Sequence, residues 1–525
     1  MRDGGGKREA KKTKTKTMKF REFNNNAVSS SDSFLLDTTD PKDPTSPLVW
    51  NRRHAVTTVD VKARSLIVRL QQIFKDIFLP VGYPTSVAEG YLEYQLYDSL
   101  QGLCTYLRGV VATSAVLVAA GVGDAQATAM SAAMTWAIRD GFGMVGGLLF
   151  SYKASPHFDA HVKEFRFLAD VFNDIGLTLD LSLPILLART SSVFELSWMS
   201  AYLPSPYLLL TSTSTLCKVW CGICAGATKG NISHHFAISG NISDVNAKES
   251  TQETLVSLIG MCMGVGLARW LHCLERKGER NEGDNLLANV QLISWTIFIL
   301  MTMIHIWANF VGIQQLQFRT LNESRAKVLL QPVIEICSNW VVMKDESVRI
   351  SAVVETCVSM CMSPNQVNES LWSSLLGMFR KGNIVLGIRL RDLIKITSES
   401  KWSRETWKNV NDTFLHQKYV ILIDEDATKS SQPRISVLMK VGASDCDEMK
   451  AFVNAHILHC CMQKETFEVN KSRLLLRSAA ITECLFRKSK HDIDIHSSLL
   501  QLGWDLSRLY LGFSPWRCDW NGKDD

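Results

Sequence analysis

Between Asn285 and Phe318 the chain reads "NLLANVQLISWTIFILMTMIHIWANFVGIQQLQF", with no formally charged side chain anywhere in it. An apolar run of about 18 residues or more is long enough, as a helix, to cross a hydrocarbon core of about 30 Å. This stretch must therefore lie inside a large core or inside lipid, and it is the best membrane-span candidate in the sequence. Shorter apolar windows at Gly109–Gly123, Ala125–Ile138, Leu196–Cys217 and Thr254–Ala268 fit further spans or buried helices equally well. Basic residues flank the main segment on both sides, Arg276, Lys277 and Arg280 before it and Arg319, Arg325 and Lys327 after it, so the positive-inside rule assigns no orientation.

The expected architecture is mainly α, a helical, membrane-embedded bundle followed by a smaller C-terminal α/β domain. Residues 1–47 read as a disordered basic leader, 48–325 as the helical core and 326–525 as the C-terminal domain. In the last of these, "KYVILID" and "RISVLMKV" are β-rich runs joined by a polar segment, a hairpin pattern, and "SDCDEMKAFVNAHILHCCM" reads as a helix capped by Ser444 or Asp445. Within the core, Gly121 and Gly123 followed by Asp124 mark a helix stop and a new start. Ser250 three residues before Glu253 has the capping-box pattern, so a helix is expected to begin there.

The net charge of +5 is concentrated in "KREAKKTKTKTMKFRE", and no basic face elsewhere suggests nucleic acid. Asp3, Glu9 and Glu22 interrupt that leader, unlike a typical plastid transit peptide. The fourteen cysteines sit among apolar neighbours, the pattern of free thiols in a reducing compartment.

Two motifs mimic chemistry. Gly141, Gly143 and Gly146 in "RDGFGMVGGLLF" have dinucleotide-loop spacing, but an Ala/Met-rich helical run precedes them where a strand is required. Gly143 and Gly147 read instead as a small-xxx-small packing surface between helices. Cys217, Cys221 and Cys224 have an iron-sulfur-like spacing, yet no barrel strand leads into them, and they read as buried thiols of a helix.

In "KEFRFLADVFNDIGLTLDL", Lys163, Arg166, Asp170, Asn173, Asp174 and Asp180 recur at helical intervals, one polar stripe on an otherwise apolar helix. Ionisable groups in hydrophobic bundles are costly and mark sites or pathways. Arg166, Asp170, Asn173 and Asp174, together with Arg139 and Asp140, are therefore the candidate ligand-binding residues, against the plainer reading of a solvated face or interhelical salt bridges. No catalytic constellation, metal site or cofactor is nominated, and His305 reads as an ordinary core histidine. The expectation is that the chain is not an enzyme.

"FLPVGYPTSVAEGYLEYQLYDSLQGL" (78–103), "GVGDAQATAMSAAMTWAIRDGFGMVGGLLF" (121–150), "KEFRFLADVFNDIGLTLDL" (163–181), "NAKESTQETLVSLIGM" (246–261), "HIWANFVGI" (305–313) and the closing "QLGWDLSRLYL" together resemble the root UVB sensitive family. Tyr97 and Phe165 stand where tryptophan is expected in many members. The resemblance implies roles in ultraviolet-B response, seedling and root development, auxin transport and vitamin B6 homeostasis. It also implies a plastid or other intracellular membrane and another family member as partner, and it supplies no catalytic residues. Two functions follow: a membrane-associated, non-catalytic regulatory or scaffold protein, or a carrier for a small anionic metabolite of unknown identity. In the carrier, Arg139 and Arg166 would meet the anion and Asp170 and Asp174 would couple.

Overall fold

The computed structural model describes residues 18–21, 33–37, 49–53, 64–120, 129–194, 206–280, 284–343, 349–367, 382–399, 404–424, 434–464, 471–487 and 494–519. It is mainly helical, with apolar helices of membrane-spanning length and a smaller mixed α/β region towards the C-terminus. The chain divides into two compact units, Met1–Ala88 with Ala237–Gln252, and Glu89–Phe236 with Glu253–Asp525.

In the first unit, β1 (Met18–Arg21), β2 (Ser33–Asp37) and β3 (Val49–Arg53) form an antiparallel sheet. Two of these strands fall where a disordered leader was expected; the rest of that leader lies outside the described residues. Helix α1 (Arg64–Phe78) follows. The turn after it is tied to the start of a later helix, where Val81 N donates to Asp244 Oδ2 at 2.7 Å and Gln252 Nε2 donates to the Phe78 carbonyl at 2.6 Å.

The bundle of the second unit is built from α2 (Tyr91–Ala119), α3 (Ala129–Ala154), α4 (Val162–Phe194), α5 (Pro206–Phe236) and α7 (Asp284–Gln314), with the later part of α6 (Ile242–Arg280). Helix α4 packs along α5 and α2, α3 packs on α5, and α7 packs on α2. Among the described residues five helices are long and apolar enough to cross a membrane, within α2, α4, α5, α6 and α7. Their outward faces carry large apolar side chains, among them Leu96, Leu258, Leu292, Met303 and Trp307, a surface suited to lipid rather than water.

Local chemistry sets the ends of these helices. Gly90 enters α2 at φ +82°, and a side chain there would crowd the Gln315 carbonyl. Helix α6 begins at Ile242, not near Ser250 as the capping-box pattern suggested; Val245 N already bonds to the Asn241 carbonyl, so the first turn forms eight residues earlier and Ser250 lies in the helix interior. The expected start at Asp124 and the first part of the Leu196–Cys217 window lie outside the described residues.

The α/β region begins with β4 (Thr320–Asn322), directly after α7, and continues through α8 (Glu323–Val342), α9 (Ile350–Ser359), β5 (Ile384–Leu386), α10 (Leu390–Glu399), α11 (Arg404–Phe414), β6 (Tyr419–Asp424), β7 (Arg434–Met439), α12 (Asp445–Lys464), α13 (Lys471–Phe486), α14 (Ile495–Gln501) and β8 (Asp505–Tyr510). The expected hairpin strands pair antiparallel, Ile421 opposite Val437, and β5 adds in parallel on the far edge of β7. Both faces of this sheet are covered, which explains why its strands are continuous apolar runs rather than alternating ones. Ser444 caps α12 reciprocally with Asp447. Asn322 caps α8 through Arg325 N at 2.7 Å, and its Nδ2 donates to the Ala160 carbonyl of the α3–α4 connection at 2.8 Å.

Candidate functional site

The stripe on α4 is buried. Asp170, Asp174 and Asp180 are less than a tenth exposed, so it is not a solvated face. Spacing of four places Arg166, Asp170 and Asp174 on one side of α4, and that side meets α2 and α7.

From α2, the fully buried Arg108 donates through Nη1 to Asp174 Oδ1 at 2.5 Å and to Thr302 Oγ1 of α7 at 3.2 Å. Its Nη2 reaches Thr105 Oγ1 at 3.3 Å, and the guanidinium lies 5.9 Å from the centre of the Phe298 ring. From α7, His305 places Nδ1 3.1 Å from Asp174 Oδ1, while its Nε2 stands 3.9 Å from Asp170 Oδ1. Arg166 Nη2 donates to Asp98 Oδ1 of α2 at 2.5 Å and lies 3.9 Å from Asp170. Asp98 also accepts from Gln101 Nε2 at 2.8 Å. Further along α4, Asp180 accepts from Ser214 Oγ of α5 at 2.5 Å and pairs with Lys218.

Three helices are thus joined by one network of three carboxylates, two guanidinium groups and an imidazole. Desolvating such ions costs several kcal/mol each, and only dense mutual pairing offsets it. Arg166, Asp170 and Asp174 are brought together as expected. Asn173, next to Asp174 on α4, is half-buried and makes no side-chain hydrogen bond among the described residues. Arg139 and Asp140 instead pair with each other on α3 at 2.9 Å, with Arg139 5.8 Å from the Trp136 ring, and share no ion pair with the α4 stripe among the described residues.

Asp98, Arg108, Thr302 and His305 were not among the expected site residues. The signal that could have found them is that Asp98 and Arg108 are among the few charges of α2 and that His305 interrupts the most apolar segment of the chain.

The two mimicking motifs also resolve into packing. A Cβ on Gly147 would come within 2.8 Å of Val219, and one on Gly143 within 3.2 Å of the same residue, so these glycines admit α5 closely. Cys224 is buried among Ala154, Phe158, Phe165 and Ala169. Among the described residues no group of three or more His, Cys, Asp or Glu is placed to hold a metal ion.

Two family models match the sequence: the vitamin B6 photo-protection and homoeostasis domain over residues 65–336, which is more than half of the chain, and the root UVB sensitive protein C-terminal region over residues 360–520. The chain belongs to the root UVB sensitive family. It is 26% identical to protein root UVB sensitive 3 of Arabidopsis thaliana over 84% of this chain and 85% of that protein. It is 32% identical to RUS family member 1 of Dictyostelium discoideum over 48% of this chain and 42% of the relative. Protein root UVB sensitive 2, chloroplastic, of Arabidopsis thaliana is 28% identical over 51% of this chain and 54% of the relative. No solved structure matches. The root UVB sensitive core model ends inside α8, so it takes in every helix that contributes to the charge network.

Proposed function

We propose that this chain is a membrane-embedded, non-catalytic scaffold or regulatory protein. The observation that carries this reading is that the bundle's charges are spent on one another: Arg108 on Asp174, Arg166 on Asp98 and Asp170, and the partly exposed Lys218 on Asp180. Arg166, Asp170 and Asp174, joined by Asp98, Arg108 and His305, form its functional centre. The helical core 48–325 holds the protein in the membrane, and the C-terminal region 326–525 presents a surface to partners, including another member of the family. The names of the matched domain and relatives support roles in ultraviolet-B response of roots and in vitamin B6 homoeostasis; seedling development and auxin transport are proposed on the family resemblance alone. One relative's name supports a plastid membrane, with another intracellular membrane as the alternative.

The anion-carrier reading needs cations free to meet a ligand, and both arginines assigned to that task are held by carboxylates.

The test is expression of the tagged chain in Arabidopsis lacking root UVB sensitive 3. Resistance to alkaline extraction and restored root growth under ultraviolet-B are the expected results. Release by alkali would overturn the membrane assignment, and failure to restore growth despite normal accumulation would overturn the proposed role. A rise in melting temperature of the purified chain with pyridoxal phosphate would move the assignment to the carrier.

A further inference from the structure

The charge network leaves two buried polar atoms without hydrogen-bond partners on neighbouring side chains, the Asp170 oxygen on its Arg166 side and the His305 nitrogen nearest the other Asp170 oxygen. Among the described residues, His305 Nε2 and Asp170 Oδ2 are both in this state, and His305 is 0% exposed. Buried polar atoms are nearly always paired, so two unpaired ones on neighbouring side chains call for a function. His305 stands between two carboxylates: Nδ1 is 3.1 Å from Asp174, and Nε2 is 3.9 Å from Asp170. A ring or carboxylate shift of about 1 Å brings the second contact into hydrogen-bond range.

We infer that Asp174, His305 and Asp170 form a proton relay inside the membrane bundle. In the forward step the O–H bond of a protonated Asp174 breaks and an N–H bond forms at His305 Nδ1. The N–H bond at Nε2 then breaks and an O–H bond forms on Asp170. One proton has moved, each electron pair stays on the oxygen or nitrogen that held it, and the imidazole resets by exchanging tautomers.

Polar side chains continue along the bundle on both sides of the relay. Towards one end, Asp170 lies beside Arg166, which is bonded to the partly exposed Asp98. Towards the other, the Thr178 hydroxyl donates to the Asp174 carbonyl at 2.6 Å, and Ser214 links the Gly176 carbonyl to Asp180, whose partner Lys218 is two-fifths exposed. From Arg166 to Asp180 this polar line runs ~21 Å along α4 at the rise of a helix, much of the ~30 Å hydrocarbon core. The charged groups facing His305 are Asp170 and Asp174 from α4, and through them it is linked to Arg108 of α2, bonded to Asp174, and to Arg166 of α4, which lies beside Asp170 and is bonded to Asp98 of α2. Their count, three carboxylates against two guanidinium groups, leaves the network able to accept a proton.

The full chain is reconstituted into vesicles holding a pH-sensitive dye, and an inside-negative potassium diffusion potential is imposed with valinomycin. Wild-type vesicles acidify faster than protein-free ones, and His305→Gln and Asp170→Asn each slow acidification at least tenfold. Arg139→Gln, at the separate α3 pair, conducts as wild type does. Wild-type vesicles no faster than protein-free ones would overturn the relay, as would a His305→Gln protein that conducts normally. If His305→Gln fails to fold, Asp170→Asn decides: Asp170 donates no hydrogen bond to the ring, so normal conduction in that variant overturns the relay and loss of conduction with an unchanged melting temperature supports it.

Discussion

Arg108 on α2 and Asp174 on α4 meet at 2.5 Å with the arginine fully buried, so each charge is tolerated in the bundle because the other is there. Removing one partner strands the other ion. Asp174→Leu is expected to cost about 3–5 kcal/mol, and the double replacement Arg108→Met with Asp174→Leu to recover most of that loss. Melting of the detergent-solubilised proteins in a double-mutant cycle checks this; equal losses in the single and double variants would refute it.

The α3–α5 contact relies on the absence of a side chain at Gly147, because the atom it would strike, Val219 Cγ1, belongs to a stiff β-branched residue. Gly147→Leu is expected to destabilise the protein by about 1–3 kcal/mol or to lower its yield in membranes. Gly141→Leu is the control, since a Cβ there meets nothing within 4 Å. The same thermal measurement on the two variants separates packing from a general intolerance of leucine.

His456 on α12 gives the C-terminal region a pH dependence. Burial, opposed by its hydrogen bond to the Phe452 carbonyl and aided by Lys327, brings its pKa down to about 4. The unfolded chain therefore binds the extra proton first as pH falls below about 6.5, and stability drops between there and about pH 4. The loss is on the order of 2 kcal/mol at pH 4.5 relative to pH 7. Denaturant titrations at the two pH values should show it, and His456→Gln should remove that share of the difference.

Tyr419 ends its side chain in the sheet core, where Asn454 Nδ2 lies 3.2 Å from the hydroxyl and burial pushes the phenol's pKa well up. Asn454→Leu leaves that hydroxyl without its partner and is expected to cost about 1–3 kcal/mol. Pairing it with Tyr419→Phe should be less damaging than Asn454→Leu alone, a comparison that chemical denaturation can make.

What could be read in advance depended on whether a signal was local. The uncharged run at Asn285–Phe318 became α7 because no other backbone satisfies its own hydrogen bonds in an apolar setting. The Arg166–Asp170–Asp174 stripe was legible because helical spacing repeats within α4. Asp98, Arg108 and His305 lie on other helices, and nothing in their own neighbourhoods records which residue each will meet. Arg139 and Asp140 are expected to share a polar cavity with the stripe as charges among apolar helices, but they belong to α3, whose packing partner is α5. Ser250 matched a capping pattern whose meaning depended on whether the helix had already begun, and Asn241 had begun it.

The parallel pairing of β4 with β8 joins Leu321 to Leu509, one strand following directly on the last bundle helix and the other near the end of the described chain. During synthesis the first of these strands emerges long before its neighbour, and the ladder cannot close until the intervening helices and strands have been made. Contacts so distant in sequence are slow to form and leave an edge open meanwhile. A ribosome working at about 5–20 residues per second would hold that edge unpaired for roughly ten to forty seconds, an interval in which a chaperone would have its best access to the nascent protein.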